Sequence, residues 1–254
     1  MLTESLEDGI IIVRLSHGKT NSITRETMEK MAVIVEKANT DDAIKGIILT
    51  GEGKFFSSGF HLPTFINFKD HAAAVDFFEF EEDFLLNYFI CKKPVICAMN
   101  GHTAAMGMIL AMASDYRIVS SHPKIKLGMS EIKLGLALTV AELEVMRFGL
   151  DTDKKFRDVM YFGNMVSPEK ALELGIVDEV LEADQLIPRA KEIICTWIDN
   201  PGRAFITLKD SVKYDAAQRI RTKLAELDWR SPLHGFFDPH VKATLEFVQA
   251  TMEG

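Results

Sequence analysis

The stretch KPVICAMNGHTAAMGMILAMASDYRIVSS (residues 93–121) predicts a strand, a glycine-bearing turn, a helix and a second strand in direct succession. Its two flanking apolar runs, PVICAMN and YRIVSS, are short and bounded, which is typical of buried strands. The helix between them is expected to begin near Gly107. Between Asn100 and Asp115 the only ionisable side chain is that of His102, so the turn holds almost nothing that can move a proton.

The segments before this stretch have the same character. GIIIVRLS (9–16) and IKGIILTG (44–51) are predicted to be strands. ITRETMEKMAVIVEKANT, which lies between them, has a helical period, with Ser22 or Thr24 expected at its N-cap. Alternating strands and helices favour an α/β fold with a largely parallel, layered sheet. From about Ser167 onward the pattern becomes mainly helical.

Composition and charge exclude several classes of protein. The 254 residues suffice for one large α/β domain or for a domain with an appendage. A net charge of −8 argues against nucleic-acid binding and against anionic membranes, because both need concentrated basic surface. The three cysteines, Cys91, Cys97 and Cys195, are too scattered for a disulfide framework or a zinc site, and we expect no metal.

The sequence also bears on location. The chain opens MLTESLEDGIIIVRL, with acidic residues where a signal peptide would carry basic ones. No window reaches the apolar length of a membrane span, and the final ATMEG carries no short targeting signal. We therefore expect a cytoplasmic protein in a reducing compartment.

Two glycine-containing loops follow predicted strands. GEGKFFSSGFHL (51–62) has three glycines within nine residues, and NGHTAAMGM (100–108) leads into the helix near Gly107. Backbone N–H groups at such turns can converge on a developing negative charge, and an oxyanion hole needs donors rather than acids. Taken alone, turns of this kind are more often simple tight connections.

Four segments together resemble the crotonase (enoyl-CoA hydratase/isomerase) superfamily over nearly the whole chain. In the family's order and spacing they are GKFFSSGFHL, KPVICAMNGHTAAMGMILAMASDYRIVSS, LGMSEIKLGL and VSPEKALELGIVDEVL. The resemblance implies a repeated ββα spiral core over residues 1–195, which would hold an acyl-CoA site. It implies a helical C-terminal region over residues 196–254 for oligomerisation and ligand cover. It also implies an acyl-CoA thioester substrate and a homotrimer or dimer of trimers.

The same resemblance assigns an oxyanion hole to the backbone N–H groups of Phe60 and Met106. It assigns recognition of the CoA moiety to main-chain groups of the first loop. The residues concerned are Lys54, Phe56, Ser57, Ser58 and Gly59, with Gly107 at the start of the helix. Asn21, in KTNSIT, matches an early loop position near the CoA, and a turn or helix-entry role is an equally good interpretation of it.

The catalytic prediction depends on two positions. Hydratases of the family use two glutamates, which align here with Ile109 and Glu131. Since isoleucine can neither bind nor polarise water, the pattern resembles the single-glutamate Δ3,Δ2-enoyl-CoA isomerases instead. Taken alone, Glu131 in MSEIKLGL is more typical of an exposed acid that caps a helix or pairs with Lys133. In register with the two donor loops, it is predicted to be the catalytic base.

One carboxylate is sufficient to move a double bond. Glu131 would remove a C2 proton from a 3-enoyl-CoA, leaving a dienolate on the two N–H donors, and would return the proton to C4. A dry site would raise the pKa of the glutamate towards its working range. This chemistry needs no metal or redox cofactor, and coenzyme A is part of the substrate.

Other acids supply the main alternatives. Four of them, interleaved with phenylalanines in DFFEFEEDFLLNYF, are expected on a solvated helix face: Glu79, Glu81, Glu82 and Asp83. If one turned inward, it would replace the missing second acid. Glu142 and Glu144, in the helical stretch after LGLALTV, are further candidates to approach the substrate.

Aromatic residues and a histidine complete the candidate site. Ten of the 17 phenylalanines fall between residues 55 and 89, where most are expected in the core. Phe65, Phe68 or Phe77 is expected to reach an acyl chain. His61 stands where the family usually has aspartate, and we expect it to replace a structural hydrogen-bond partner.

Three functions remain open at this point. The first is an enoyl-CoA isomerase that uses Glu131. The second is another crotonase reaction, hydration or hydrolysis, in which Glu131 works with a partner acid. The third is a non-catalytic acyl-CoA-binding protein.

Overall fold

A computed structural model describes residues 2–253, and its strands form two sheets. The strands are β1 (Leu2–Glu7), β2 (Ile10–Leu15), β3 (Gly46–Gly51), β4 (Phe55–Ser57), β5 (Val95–Met99), β6 (His102–Ala104), β7 (Tyr116–Ser120), β8 (Leu127–Gly128) and β9 (Glu179–Leu181). The larger sheet has the order β1-β2-β3-β5-β7-β9, and only its β1–β2 pair is antiparallel. The smaller sheet, β4-β6-β8, is parallel throughout.

Helices surround the sheets and dominate the second half of the chain. They are α1 (Arg25–Thr40), α2 (Leu62–Ile66), α3 (His71–Phe89), α4 (Met106–Ala113), α5 (Glu131–Leu134), α6 (Val140–Gly149), α7 (Asp153–Met160), α8 (Pro168–Glu173), α9 (Leu186–Ile198), α10 (Ala204–Glu226) and α11 (Pro239–Glu253). Short 3₁₀ helices lie at Ala183–Gln185, Pro201–Arg203 and Ser231–Phe237. None of the helices within residues 2–253 has the length and apolar character needed to cross a membrane.

The two sheets are linked by a repeated ββα unit. Each of β3, β5 and β7 lies in the larger sheet and is followed by a short strand of the smaller sheet and then by a helix. The predicted α/β fold with a repeated ββα spiral core and a helical C-terminal region is confirmed. Because parallel strands end at one edge of their sheet, the loops after β4, β6 and β8 lie side by side.

The larger sheet is buried on both faces, which explains its nearly continuous apolar strands. Ile10 and Ile12 of β2 pack against α9, whereas Ile11 and Val13 face the main core with α1, α3 and α4. The alternation follows from the period of two along a strand.

The four predicted strands correspond to β2, β3, β5 and β7. Thr24 rather than Ser22 caps α1, and its hydroxyl oxygen accepts the N–H of Thr27 at 3.2 Å. Strand β1 was not predicted, because LTESLE is polar; it is a largely exposed edge strand that pairs only with β2.

The C-terminal helices are anchored to the core. Lys213 of α10 places its Nζ 2.8 Å from Oδ1 of Asp115, and Lys209 holds the other carboxyl oxygen. Helix α11 returns to contact α2 and α5. Residue 195 lies inside α9, and the division of the chain there, with its proposed roles, stays a prediction.

Candidate active site

Three groups predicted to act together follow the three strands of the smaller sheet. Phe60 lies three residues after β4, Met106 two residues after β6, and Glu131 three residues after β8. All three line one cavity of about 330 Å³. The ends of three neighbouring parallel strands therefore bring together residues that are far apart in the sequence.

The backbone of Phe60 is held in place by its neighbours. Gly59 adopts a φ of +100°, which favours glycine strongly. Its carbonyl accepts the N–H of Ile23 at 2.8 Å, and the carbonyl of Ile23 accepts the N–H of His61 at 2.9 Å. No acceptor within residues 2–253 takes the N–H of Phe60 itself, so that donor is available to a ligand.

The N–H of Met106 is available for a different reason. Met106 is the first residue of α4, and N–H groups in the first turn of a helix have no intrahelical acceptor. A Cβ on Gly107 would lie 2.8 Å from both Cβ and O of Ser57, so only glycine lets this turn approach the first loop so closely. Two available donors on touching turns are compatible with an oxyanion hole, and that role of Phe60 and Met106 stays a prediction.

Glu131 begins α5 and is 9% exposed. Its Oε2 is buried and has no hydrogen-bond partner in the part of the chain that the structure describes. Burial raises the pKa of this carboxyl group to about 7, although backbone groups of Glu131 and Ser130 act in the opposite direction. The interpretation of Glu131 as an exposed surface acid is therefore wrong, and its protonation changes near neutral pH.

The rest of the cavity wall is mainly apolar. Ile109, which was predicted to align with a hydratase glutamate, is 1% exposed and lines the cavity. Phe65, Phe78 and Phe236 also line it, and the ring centroids of Phe65 and Phe236 are 4.9 Å apart. Of the phenylalanines expected to reach an acyl chain, Phe65 lies in the wall. The other two, Phe68 and Phe77, pack against Phe65 outside the lining.

Residues of the predicted CoA loop have different surroundings. Lys54 is exposed, whereas the side chain of Phe56 is fully buried. The buried Ser57 hydroxyl oxygen accepts the N–H of Gly59 at 3.1 Å and so fixes the turn. Ser58 lines the cavity, with its hydroxyl 3.0 Å from that of Thr20. Contact of this loop with CoA stays a prediction.

Asn21 holds the loop rather than presenting a free amide. Its side-chain Nδ2 donates to the carbonyl oxygens of Glu52 at 2.9 Å and of Phe55 at 2.7 Å. Its φ of 52° places it in a turn, and it is 2% exposed. These contacts support the structural interpretation of Asn21, and direct binding of CoA by its side chain stays a prediction.

The four acids of α3 that were predicted to lie on a solvated face divide into two pairs. Glu79 and Asp83 are exposed, as predicted, but Glu81 and Glu82 are fully buried, so the prediction of a solvated face was wrong for them. Each buried acid lies four residues after a buried phenylalanine of the same helix, and residues at that spacing share a face.

The two acids of α6 also differ. Glu142 lines the cavity and is 4% exposed, so it does approach the site. Glu144 does not line the cavity: it is paired with Arg219 at 2.9 Å and with Lys223 at 2.5 Å. Sequence reasoning named Glu142 only as an alternative, and it missed Phe236, which a distant 3₁₀ helix brings to the wall.

The histidines near the site make local contacts. His61 Nδ1 lies 3.2 Å from the hydroxyl oxygen of Thr64, which fits the structural role expected of it. His102 Nδ1 accepts the N–H of Lys126 at 3.1 Å. Within residues 2–253 no group of three or more His, Cys, Asp or Glu side chains has the arrangement of a metal site.

The chain is similar to known proteins over most of its length. The family model described as enoyl-CoA hydratase/isomerase matches residues 5–244. Mouse mitochondrial enoyl-CoA delta isomerase 1 is 26% identical over 215 residues, covering 84% of this chain and 73% of that protein. A probable enoyl-CoA hydratase of Bacillus subtilis is 23% identical over 205 residues, covering 80% of this chain and 78% of that protein.

The fold has close counterparts among solved structures. Human mitochondrial delta3-delta2-enoyl-CoA isomerase superimposes with a TM-score of 0.90 at 21% identity, over 99% of this chain and 98% of that one. At this identity the superposition shows the fold alone. Relatives with isomerase names and relatives with hydratase names both match, so the reaction must be argued from the site.

Proposed function

The chain belongs to the enoyl-CoA hydratase/isomerase family, and on that basis we propose that it is an enoyl-CoA isomerase that converts a 3-enoyl-CoA to the conjugated 2-enoyl-CoA. The observation that carries the proposal is the combination of Glu131 with Ile109 in one largely apolar cavity. Burial raises the pKa of Glu131 to about 7, and Glu131 lines the same cavity as the two N–H donors. Ile109, which is predicted to align with a hydratase glutamate, adds an apolar side chain to that cavity.

The reaction follows from the positions of three groups. The thioester oxygen accepts hydrogen bonds from the N–H groups of Phe60 and Met106, which acidifies the C2 hydrogens. The carboxylate of Glu131 takes one C2 proton, and the electron pair of that C–H bond delocalises into a dienolate. Protonation at C4 then forms the C2–C3 double bond and restores the thioester carbonyl.

The apolar wall supports this chemistry in two ways. Excluding water strengthens the hydrogen bonds to the dienolate oxygen, because the local dielectric is low. It also raises the pKa of Glu131, so that the group can take up a proton and release it again near neutral pH. Proton transfer of this kind requires no metal or redox cofactor, and we propose coenzyme A only as part of the substrate.

Hydration of a 2-enoyl-CoA is the second candidate reaction. It is favoured by Glu142, a second acid in the cavity wall, because addition of water uses both a base and an acid. Ile109 disfavours it by keeping that part of the wall apolar.

Location in the cytoplasm and assembly as a homotrimer or dimer of trimers remain parts of the proposal.

The deciding experiment follows trans-3-hexenoyl-CoA and trans-2-hexenoyl-CoA separately with purified protein. We expect the first to give the conjugated 2-enoyl product and the second to gain no water. Glu131→Gln should lose the isomerisation, while Glu173→Gln on the exposed surface of α8 should keep it. Hydration of the second substrate without isomerisation of the first would replace the isomerase assignment by that of a hydratase.

A further inference from the structure

Four glutamates from three helices converge beside the cavity. Glu81 and Glu82 come from α3, Glu131 from α5 and Glu142 from α6, and none is more than 9% exposed. Within residues 2–253 no lysine, arginine or histidine forms an ion pair with any of them. Glu144, two residues after Glu142 in α6, has two basic partners.

A buried group of like charges without cations must hold protons. Ionising all four carboxyl groups would place four negative charges in a region of low dielectric, which costs more than keeping some of them neutral. Burial, together with the nearby Glu82 and Glu131 charges, raises the pKa of Glu142 to about 8. Burial likewise raises the pKa of Glu82 to about 7, and that of Glu81 well above its ordinary value.

Hydrogen bonds distinguish the members of this cluster. Glu82 accepts the N–H groups of Val140 and Ala141 with its two carboxyl oxygens, at 2.6 and 2.7 Å. These donors, at the N-terminus of α6, favour the ionised form of Glu82. Glu81 lies near the N-terminus of α6: its Oε2 is 3.3 Å from the hydroxyl oxygen of Thr139, the N-cap residue of that helix. Neither residue lines the cavity.

Glu142 is the member that both belongs to the cluster and lines the cavity. Its Oε2 accepts the N–H of Thr139 at 2.8 Å, which fixes the side chain across the first turn of α6. The side chain of Thr139 also forms a hydrogen bond with this carboxyl group. A carboxyl group held at the first turn of α6, in the same cavity wall as Glu131, has the placement of a second acid.

We propose that Glu142 is a second proton-transfer group of the acyl cavity, which protonates C4 while Glu131 deprotonates C2. This rests on the proposed isomerase function. The C2–H bond breaks towards the carboxylate of Glu131, and the O–H bond of Glu142 breaks as its proton forms the new C4–H bond. The turnover leaves Glu131 protonated and Glu142 ionised, and transfer of one proton from Glu131 to Glu142 restores the starting state.

The two routes differ in the fate of an isotopic label. With one group, Glu131 carries the C2 hydrogen to C4; with two groups, C4 receives the hydrogen that Glu142 held beforehand. The experiment uses 3-hexenoyl-CoA with both C2 hydrogens replaced by deuterium, in ordinary water, in a single turnover with enzyme in excess. The product is doubly labelled on the first route and singly labelled on the second, which mass spectrometry distinguishes.

For the wild-type protein we expect a singly labelled product. Glu142→Gln keeps an acceptor for the N–H of Thr139 but has no acidic proton, so we expect turnover to fall by about 10²-fold. The residual product should be doubly labelled, because Glu131 then serves both carbons. Glu79→Gln on the exposed face of α3 should match the wild type. If Glu142→Gln does not fold, Glu142→Asp, which withdraws the acid by one methylene, should shift the label in the same direction.

The outcomes separate the two proposals. If the wild type and the Glu142 variant place the same label at C4, whether deuterium or solvent hydrogen, the proposed role of Glu142 is wrong. The proposed isomerase function is then unaffected. No conversion of the substrate by the wild-type protein would overturn the isomerase function, and the role of Glu142 with it.

Discussion

Gly59 packs directly against Ala105: a Cβ on Gly59 would lie 2.4 Å from the Cβ of Ala105 and 3.2 Å from the backbone nitrogen of Met106. These residues stand on the two turns that carry the unpaired N–H donors. Any side chain at position 59 must therefore push the two donors apart or rotate one of them. Glycine at position 59 therefore allows the short distance between the two turns, and that distance sets the relative positions of the two donors.

We predict that Gly59→Ala reduces kcat/KM for 3-hexenoyl-CoA by about 10²- to 10³-fold, the effect of losing one oxyanion-hole donor. The substitution also places alanine at a φ of +100°, which lowers stability. Gly202→Ala is the matched control, because Gly202 has a φ of +74° and nothing within 4 Å of its Cβ position. Equal loss of activity in both variants would show that backbone strain, and not the donor geometry, is responsible.

A second prediction concerns the pH dependence of turnover. Glu131 must be ionised to take a proton, and burial raises its pKa to about 7. The kcat/KM should therefore increase as the pH rises through about 7, rather than through the ordinary carboxyl range. A profile measured between about pH 5 and pH 9 checks this. A rate that stays constant down to pH 5 would contradict the assignment of Glu131 as the base in this environment.

The buried acids should also change how the free energy of unfolding depends on pH. The pKa of Glu81 lies well above its ordinary value of 4.5 in the folded protein, so the folded state keeps a proton that the unfolded chain releases. The contribution of Glu81 to stability must then fall as the pH rises above about 4.5. Glu81→Gln removes this proton linkage, and its melting temperature relative to wild type should be higher at about pH 9 than at about pH 5.

Glu82→Gln provides the contrast within the same helix. The substitution leaves one acceptor for the two N–H groups of Val140 and Ala141, so one buried donor loses its partner at a cost of about 1–3 kcal/mol. For a chain of this size that lowers the melting temperature by about 2–10 °C. Thermal unfolding followed by circular dichroism distinguishes the two variants. A melting temperature of Glu82→Gln at about pH 5 that is no lower than that of Glu81→Gln would mean that the two N–H groups do not need both carboxyl oxygens.

The sequence predicted the parts of the site that local segments encode. The turns at Gly59 and Gly107 come soon after apolar strands in the sequence. Those strands belong to the repeated ββα units, and the packing of the units brings the two turns together. Glu131 was identified through its register with the same turns. Its burial was not predictable from SEIK, because it depends on the cavity that α6 and α11 complete.

Contacts between elements that are far apart in the sequence could not be predicted from local segments. The signal for Glu81 and Glu82 was nevertheless present, since they follow Phe77 and Phe78 by four residues and so share the apolar face of α3. Their charge suggested a solvated face, and the helical period indicated the opposite. Phe236 gave no such signal, because its place in the wall depends on how the chain returns after α10.

The last prediction concerns the acyl group. Phe236 is 8% exposed, and its ring lies 5.3 Å from that of Phe78 and 4.9 Å from that of Phe65, so these rings together bound the cavity. Phe236→Ala should enlarge the cavity and raise kcat/KM for 3-decenoyl-CoA relative to 3-hexenoyl-CoA by about 10-fold. This is the effect of burying about two of the four additional methylenes, at about 0.8 kcal/mol each. It should also cost about 3–5 kcal/mol of stability. Phe237→Ala, at the adjacent and 38% exposed position, is the control and should leave the ratio unchanged. A ratio that moves equally in both variants would indicate a general loosening of the 3₁₀ helix, and the ring of Phe236 would then not limit the acyl chain.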